Sequence, residues 1–259
     1  MGTSALFRRF DAARALPRLG GMARPNGVVI VSERYWAFAC TDGTLREGTM
    51  PEPPAFLRNV PLARGLVRLA ASVSPLFRRT GTTGRRERKL LALALVAPLG
   101  FVFLPGSWAT VAGLVTTGLL LAVLFRGRTL NLHGAEHRAI AAAEERRLAD
   151  TWSGVARPSR ISQRCGTNFA AIALPVTLAF DRLSPLPVAL YTPFVVLVFS
   201  LALSMELWLA VQRCSSRVRG AVLLPGLLLQ RLTTREPRIE ETQLALTAVA
   251  SVLRRELAD

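Results

Sequence analysis

The chain has 259 residues, is 51% hydrophobic and carries a formal charge of +16 from 33 Lys+Arg against 17 Asp+Glu. A mean hydropathy of +0.33 is high for a soluble domain, and the basic residues are partitioned: sixteen precede residue 90, eight lie in 126–168, eight follow Gln212, and Arg182 alone falls elsewhere. That is the positive-inside pattern of a chain with an even number of membrane spans and both termini cytoplasmic, so anionic lipid headgroups are expected as partners and nucleic acid is not.

Residues 1–52 read as an N-terminal cytoplasmic segment. Its first twenty residues lack the apolar core of a secretory signal and resemble a surface helix ending at a Gly20–Gly21 break, although a transit peptide has the same look. Val28–Val31 and Tyr35–Cys40 are β-branched or aromatic runs, and Thr41–Asp42–Gly43 is a turn signal, so a small β-hairpin or sheet follows. In 53–89, Phe56, Val60, Ala63, Val67, Ala70, Val73 and Phe77 recur at helical spacing between arginines. This predicts a basic amphipathic helix, either in the headgroup region or packed on the domain's own core, and then a polar linker over 80–89.

Leu90–Phe125 contains no charged residue. At ~20 residues per span it makes a first membrane hairpin, 90–125, broken at Leu104–Trp108. Phe169–Phe180 and Leu186–Gln212, the latter interrupted only by Glu206, make a second hairpin, 169–212. Between the hairpins, Asn131–Ala149 predicts a helix with Asn131 as N-cap, or one continuous with span two, and then a loop. Residues 213–259 hold a short apolar run, Ala221–Leu229, and an amphipathic tail with Leu244, Ala248 and Val252 on one face. The expected fold is mainly α: a polytopic helical membrane protein of about four spans with a small N-terminal β element and cytoplasmic amphipathic helices.

Polar chemistry gathers in 126–168. His133 and His137 are the only histidines, stand four apart on one helical face, and flank Glu136 in the H-x-x-E-H order of inverted zinc proteases. Cys165 precedes span three, and Glu206 lies ~9 Å below the cytoplasmic end of span four, at similar depth. Imidazole, thiolate and carboxylate all ligate zinc or a similar divalent ion. His133, His137, Cys165 and Glu206 are therefore the candidate metal ligands, with Glu136 as general base or as a partner orienting a ligand. The apolar context is unlike a soluble peptidase. A carboxylate inside a span costs at least ~2.5 kcal/mol, so Glu206 needs a partner, either the histidines or an arginine. A purely structural reading stands beside the metal one. In it the histidines bond the ends of the spans, Glu136 and Arg138 are surface charges, and Cys165 is a small buried residue.

On the stretches HGAEHRAI (133–140), RCGTNF (164–169) and LQRLTTREP (229–237), the chain resembles the YqhQ-like family, a bacterial membrane family of unknown function labelled in general terms as predicted metal-dependent enzymes. Weaker matches at 20–21, 36–39, 61–69 and Glu206 extend the resemblance over nearly the whole chain. It implies a multi-pass protein of the bacterial cytoplasmic membrane. It also implies an acidic residue where Asn26 stands, a histidine where Ser162 stands and a glutamate where Gln243 stands, and so a diverged member with an altered site. The leading reading is a membrane protein with a polar, divalent-metal site at the cytoplasmic interface. The alternative is a non-catalytic scaffold or assembly factor whose Arg-rich face binds anionic lipid or an acidic partner.

Overall fold

Four short strands, β1 (Gly20–Arg24), β2 (Gly27–Val31), β3 (Tyr35–Cys40) and β4 (Leu45–Thr49), form an antiparallel meander in chain order. They belong to a computed structural model that describes residues 2–78, 81–104, 106–124, 127–183 and 192–258. Alternation along the pleat sorts the side chains. Val28, Ile30, Ala37 and Ala39 face a helical layer, while Val29, Trp36, Phe38 and Cys40 form a smaller cluster on the other side. The predicted turn at Thr41–Asp42–Gly43 joins β3 to β4. There the Asp42 carboxylate accepts from the Thr44 amide and hydroxyl (2.8 and 2.7 Å), and Gly43 takes φ +86°. Gly20 and Gly21 do not break the chain; they open β1. A Cβ on Gly21 would lie 2.8 Å from Glu136 Cγ, so this glycine admits a side chain from the helical layer.

The helices are α1 (Thr3–Asp11), α2 (Ala63–Phe77), α3 (Arg85–Gly100), α4 (Gly106–Leu124), α5 (Thr129–Glu144), α6 (Leu148–Trp152), α7 (Gly166–Leu183), α8 (Thr192–Arg213), α9 (Ser216–Thr233) and α10 (Ile239–Glu256). Alanines on α5 (Ala135, Ala139, Ala142) and on α10 (Ala245, Ala248) let the two helices pack closely against each other and the sheet, α5 over β1 and β2 and α10 over β2 and β3, and Phe7 and Phe10 of α1 close the core. Asp11 accepts the Leu148 and Ala149 amides at 3.0 Å each, capping α6 from a distant part of the chain. Gly127, at φ +62°, separates α5 from α4. Asn131 is therefore not the N-cap: it lies inside α5 and donates to the Glu236 carbonyl at 3.0 Å.

The amphipathic helix α2 packs on α8 rather than on the sheet. A Cβ on Gly65 would meet Met205 at 2.5 Å. The Glu206 carboxylate on α8 accepts from Arg64 Nε (2.9 Å) and from the Leu62 amide (3.0 Å). The expected polar linker is shorter than 80–89, because α3 starts at Arg85 and Glu87 pairs with Arg24.

Among the described residues one helix is long and apolar enough to cross a membrane, Phe194–Arg213, and Gly166–Phe180 is a shorter apolar helix. The stretch expected to form the first hairpin holds α3 and α4 with a 3-10 turn at Phe101–Phe103; the expected break at Leu104–Trp108 includes residue 105, which lies outside the described residues, and α4 begins within it at Gly106. Residues 184–191, which include the expected connection between spans three and four, and residues 125–126 at the end of span two lie outside the described residues.

Candidate metal centre

His133, Glu136 and His137 line a cavity of about 260 Å³ bounded by β1, α5, the segment 162–167 and Thr233 at the end of α9. The two imidazoles meet edge to face with centroids 4.5 Å apart. His133 Nδ1 lies 2.8 Å from the Thr233 carbonyl oxygen, and His137 Nδ1 lies 2.7 Å from that of Arg160. A carbonyl oxygen only accepts, so both Nδ1 atoms carry the proton and both Nε2 atoms keep a lone pair. His133 Nε2 sits 3.3 Å from Cys165 Sγ, while His137 Nε2 is buried with no hydrogen-bond partner among the described residues. The ligand atoms of His133, His137 and Cys165 all lie within 4.8 Å of one another.

Other residues hold this arrangement in place. The segment Thr233–Pro237 crosses α5 so closely that a Cβ on Gly134 would fall 2.1 Å from the Arg235 carbonyl oxygen. The Arg235 amide donates to Leu130 O at 2.9 Å. Buried Arg138 ties two loops together, donating to the Pro158 carbonyl (3.0 Å) and the Glu236 carboxylate (2.7 Å). Arg160, whose carbonyl holds His137, donates to Thr234 O and Oγ1 at 2.8 and 2.7 Å. The Gln230 side-chain amide pairs with both backbone groups of Ser162 at 2.9 and 2.7 Å. Glu136 and Arg138 are thus buried, not surface charges, and of the two Glu136 lines the cavity. The stretches 133–140, 164–169 and 229–237 interlock: the first supplies the imidazoles, the second the thiol, and the third the Thr233 carbonyl that orients His133, while His137 is oriented from outside them by Arg160.

Burial pushes the Glu136 carboxyl up to about 8, against one hydrogen bond from the Ala23 backbone. It pulls His137 down to about 4, aided by the neighbouring His133, and lowers His133 as well. The Cys165 thiol is raised to about 11 by burial, opposed by its hydrogen bonds with Thr167. At neutral pH the metal-free site therefore holds two neutral imidazoles, a thiol and a protonated carboxyl. Two of these groups can release a proton when a cation enters.

The raised Glu136 value has a consequence for stability. Its folded value lies above the ordinary 4.5, so the unfolded chain loses that proton first and this group lowers stability progressively as pH rises from about 4.5 to 8. Glu136→Gln is expected to flatten that part of the melting-temperature profile of the detergent-solubilised, metal-free protein. An identical fall in variant and wild type would contradict a buried, protonated Glu136.

Of the four expected ligands, three converge. Glu206 does not join them: its carboxylate is engaged by Arg64 and Leu62. Of the three diverged positions, only Ser162 lines the cavity. Asn26 sits in the β1–β2 turn with its carbonyl on the Thr41 amide, and Gln243 donates to the Trp152 carbonyl. The altered site expected from those positions thus narrows to Ser162.

Imidazoles fixed through Nδ1–H to carbonyls, with their Nε2 lone pairs left free in a cluster with a thiol, match the ligands and supports of a bound transition-metal ion. The donor set fits a divalent ion. The structure is that of a mainly helical protein with a small N-terminal antiparallel sheet and a two-histidine, one-cysteine cluster in a cavity beside that sheet. The chain belongs to the family described as Protein of unknown function (DUF1385), whose model matches residues 109–255. A curated relative, Uncharacterized protein YqhQ of Bacillus subtilis (strain 168), is 31% identical over 148 residues, 50% of this chain and 42% of that protein. The chain thus spans less than half the length of the relative it matches. No solved structure matches.

Proposed function

We propose that this chain is a polytopic protein of the cytoplasmic membrane that holds a divalent metal ion, zinc first among the candidates, on His133, His137 and Cys165 at the cytoplasmic surface. The observation that carries this reading is the pair of Nε2 lone pairs set by the Thr233 and Arg160 carbonyls, that of His133 3.3 Å from Cys165 Sγ and that of His137 buried without a partner among the described residues, in a cluster whose ligand atoms lie within 4.8 Å of one another. A bound ion would supply Lewis acidity toward a water or substrate in the cavity. Three protein ligands are the number typical of catalytic sites, whereas structural sites use four. Thr233 and Arg160 hold the imidazoles in one tautomer. Glu136, protonated at neutral pH on the same cavity wall, keeps a proton at its carboxyl that it can give and later take back. Elemental analysis of protein purified from metal-replete cells is expected to find about one such ion per chain; none bound would sink the metal reading.

The membrane part of the proposal assigns four spans, α3, α4, α7 and α8, with both termini cytoplasmic. The charge partition supports it, as do large apolar side chains that point outward from these helices, among them Leu93, Trp108, Leu114, Leu174, Phe199 and Leu203. Reporter fusions after residue 156 and at the C-terminus are expected to read cytoplasmic, and fusions near 104 and 183 to read the opposite side. A translocated signal from 130–165 would overturn the topology.

A second reading has one observation in its favour. A groove of about 720 Å³ between the sheet and α2 is lined by Arg18, Arg34, Arg58, Arg64 and Arg68 against Glu33 and Glu52, a net basic lining that suits an acidic partner of a scaffold. That role requires no ion, so the same elemental analysis separates the two.

A further inference from the structure

Helix α9 inverts the pattern of an amphipathic helix in water. Its buried residues are Leu223, Gly226 and Gln230, while Val218, Val222, Leu224, Leu228, Leu229 and Leu232 point outward, each about half exposed or more. Exposed Arg217 and Arg231 stand near the two ends of this aliphatic face.

The buried side shows how α9 lies. A Cβ on Gly226 would fall 2.6 Å from Asn168 Cα, at the start of α7. Arg219 Nε donates to the Gln163 side chain at 2.6 Å, and Gln230 pairs with Ser162. Along a helix, Arg219 and Gln230 are about 16 Å apart. Both nevertheless bind adjacent residues of the one loop that precedes α7. The middle of α9 therefore packs over the start of α7 and the loop that precedes it.

We infer that α9 is an in-plane helix whose outer face is seated in the cytoplasmic lipid leaflet, with Arg217 and Arg231 against anionic headgroups. This rests on the membrane reading above. Two features commit the face to lipid rather than to a protein. Only Cys214 and Ser215 separate α9 from the apolar helix α8, which holds its first turn at the bilayer surface. The exposed stripe is aliphatic with arginines at its ends, the composition of an interfacial helix, and lacks the aromatic residues enriched in protein interfaces. The C-terminal turn of α9 also carries the Thr233 carbonyl that orients His133. Seating α9 in the leaflet thereby fixes one wall of the metal cavity at headgroup level.

The test uses the full chain with Cys214→Ser, Cys40 and Cys165 being buried, in vesicles of neutral phospholipid with about a quarter anionic lipid. A spin label is placed at Leu228→Cys, or at Leu203→Cys on α8 as reference, and its collisions with oxygen and with a water-soluble nickel chelate are compared. Both positions are expected to favour oxygen, with position 228 shallower than 203. Nickel access at 228, or shielding from both reagents, while 203 reads lipid overturns the seating of α9 alone. Nickel access at 203 overturns the membrane reading and this inference with it.

Discussion

Replacing His137 with alanine is expected to weaken divalent-metal binding by at least about a hundredfold. Changes to groups that merely orient a ligand cost about 10–100-fold in affinity, and His137 supplies a ligand atom itself. Its Nε2 is the one buried nitrogen of the cluster without a partner, so no competing hydrogen bond holds it back. Its value near 4 means that protons do not compete for that lone pair at neutral pH. The measurement is a chelator-competition titration with zinc on detergent-solubilised protein, read beside the melting temperature of the metal-free form. Removing the imidazole also strands the Arg160 carbonyl, at about 1–3 kcal/mol, so some loss of stability is expected without unfolding. Glu136→Gln, which keeps all three ligand atoms, should stay within tenfold of wild type. An H137A variant that binds zinc as tightly as wild type would contradict the assignment of His137.

Gly134→Ala is expected to be strongly destabilising. The added Cβ meets a backbone carbonyl at 2.1 Å, and a carbonyl cannot rotate aside as a side chain can. The Thr233–Pro237 segment must shift, straining the bonds from Arg235 to Leu130 and from Asn131 to Glu236. Overpacking costs ~1–3 kcal/mol and each lost bond about 1 more. The total is ~3–5 kcal/mol, a large share of the ~5–15 kcal/mol available to a domain. The same shift moves the Thr233 carbonyl, so metal affinity falls along with stability. Gly220→Ala on α9 is the control, since nothing lies within 4 Å of its Cβ, and it should be neutral or slightly stabilising. Equal losses of melting temperature in the two variants would contradict the close crossing at Gly134.

The sheet and the α5 helix were legible because their signals are local. β-branched runs bounded by a TDG turn give strands, and an alanine-rich stretch with two histidines at i and i+4 gives a helix with one polar face. Gly20–Gly21 misled because a glycine pair marks a turn as readily as a close approach, and the approaching atom, Glu136 Cγ, comes from more than a hundred residues away. The extent of α9 was missed for a different reason. Its inward side carries Gly226 and Gln230 while its leucines face out, so a rule that buries leucine finds only a short apolar run. Glu206 was assigned by depth, which says nothing about direction around the helix axis, and Arg64 occupies the side it faces. The Thr233 and Arg160 carbonyls were out of reach, because a backbone oxygen leaves no mark in residue type. Their trace was indirect: Gln230, Thr234 and Arg138 cluster around them for no reason that helix periodicity supplies.

X-ray absorption at the zinc edge of the loaded wild-type protein tests the central claim most directly. The account predicts one sulfur at about 2.3 Å and two imidazole nitrogens at about 2.0–2.1 Å, with the sulfur contribution lost in Cys165→Ser. A coordination shell of oxygen and nitrogen alone in the wild type, or a sulfur signal that persists in Cys165→Ser, would contradict it.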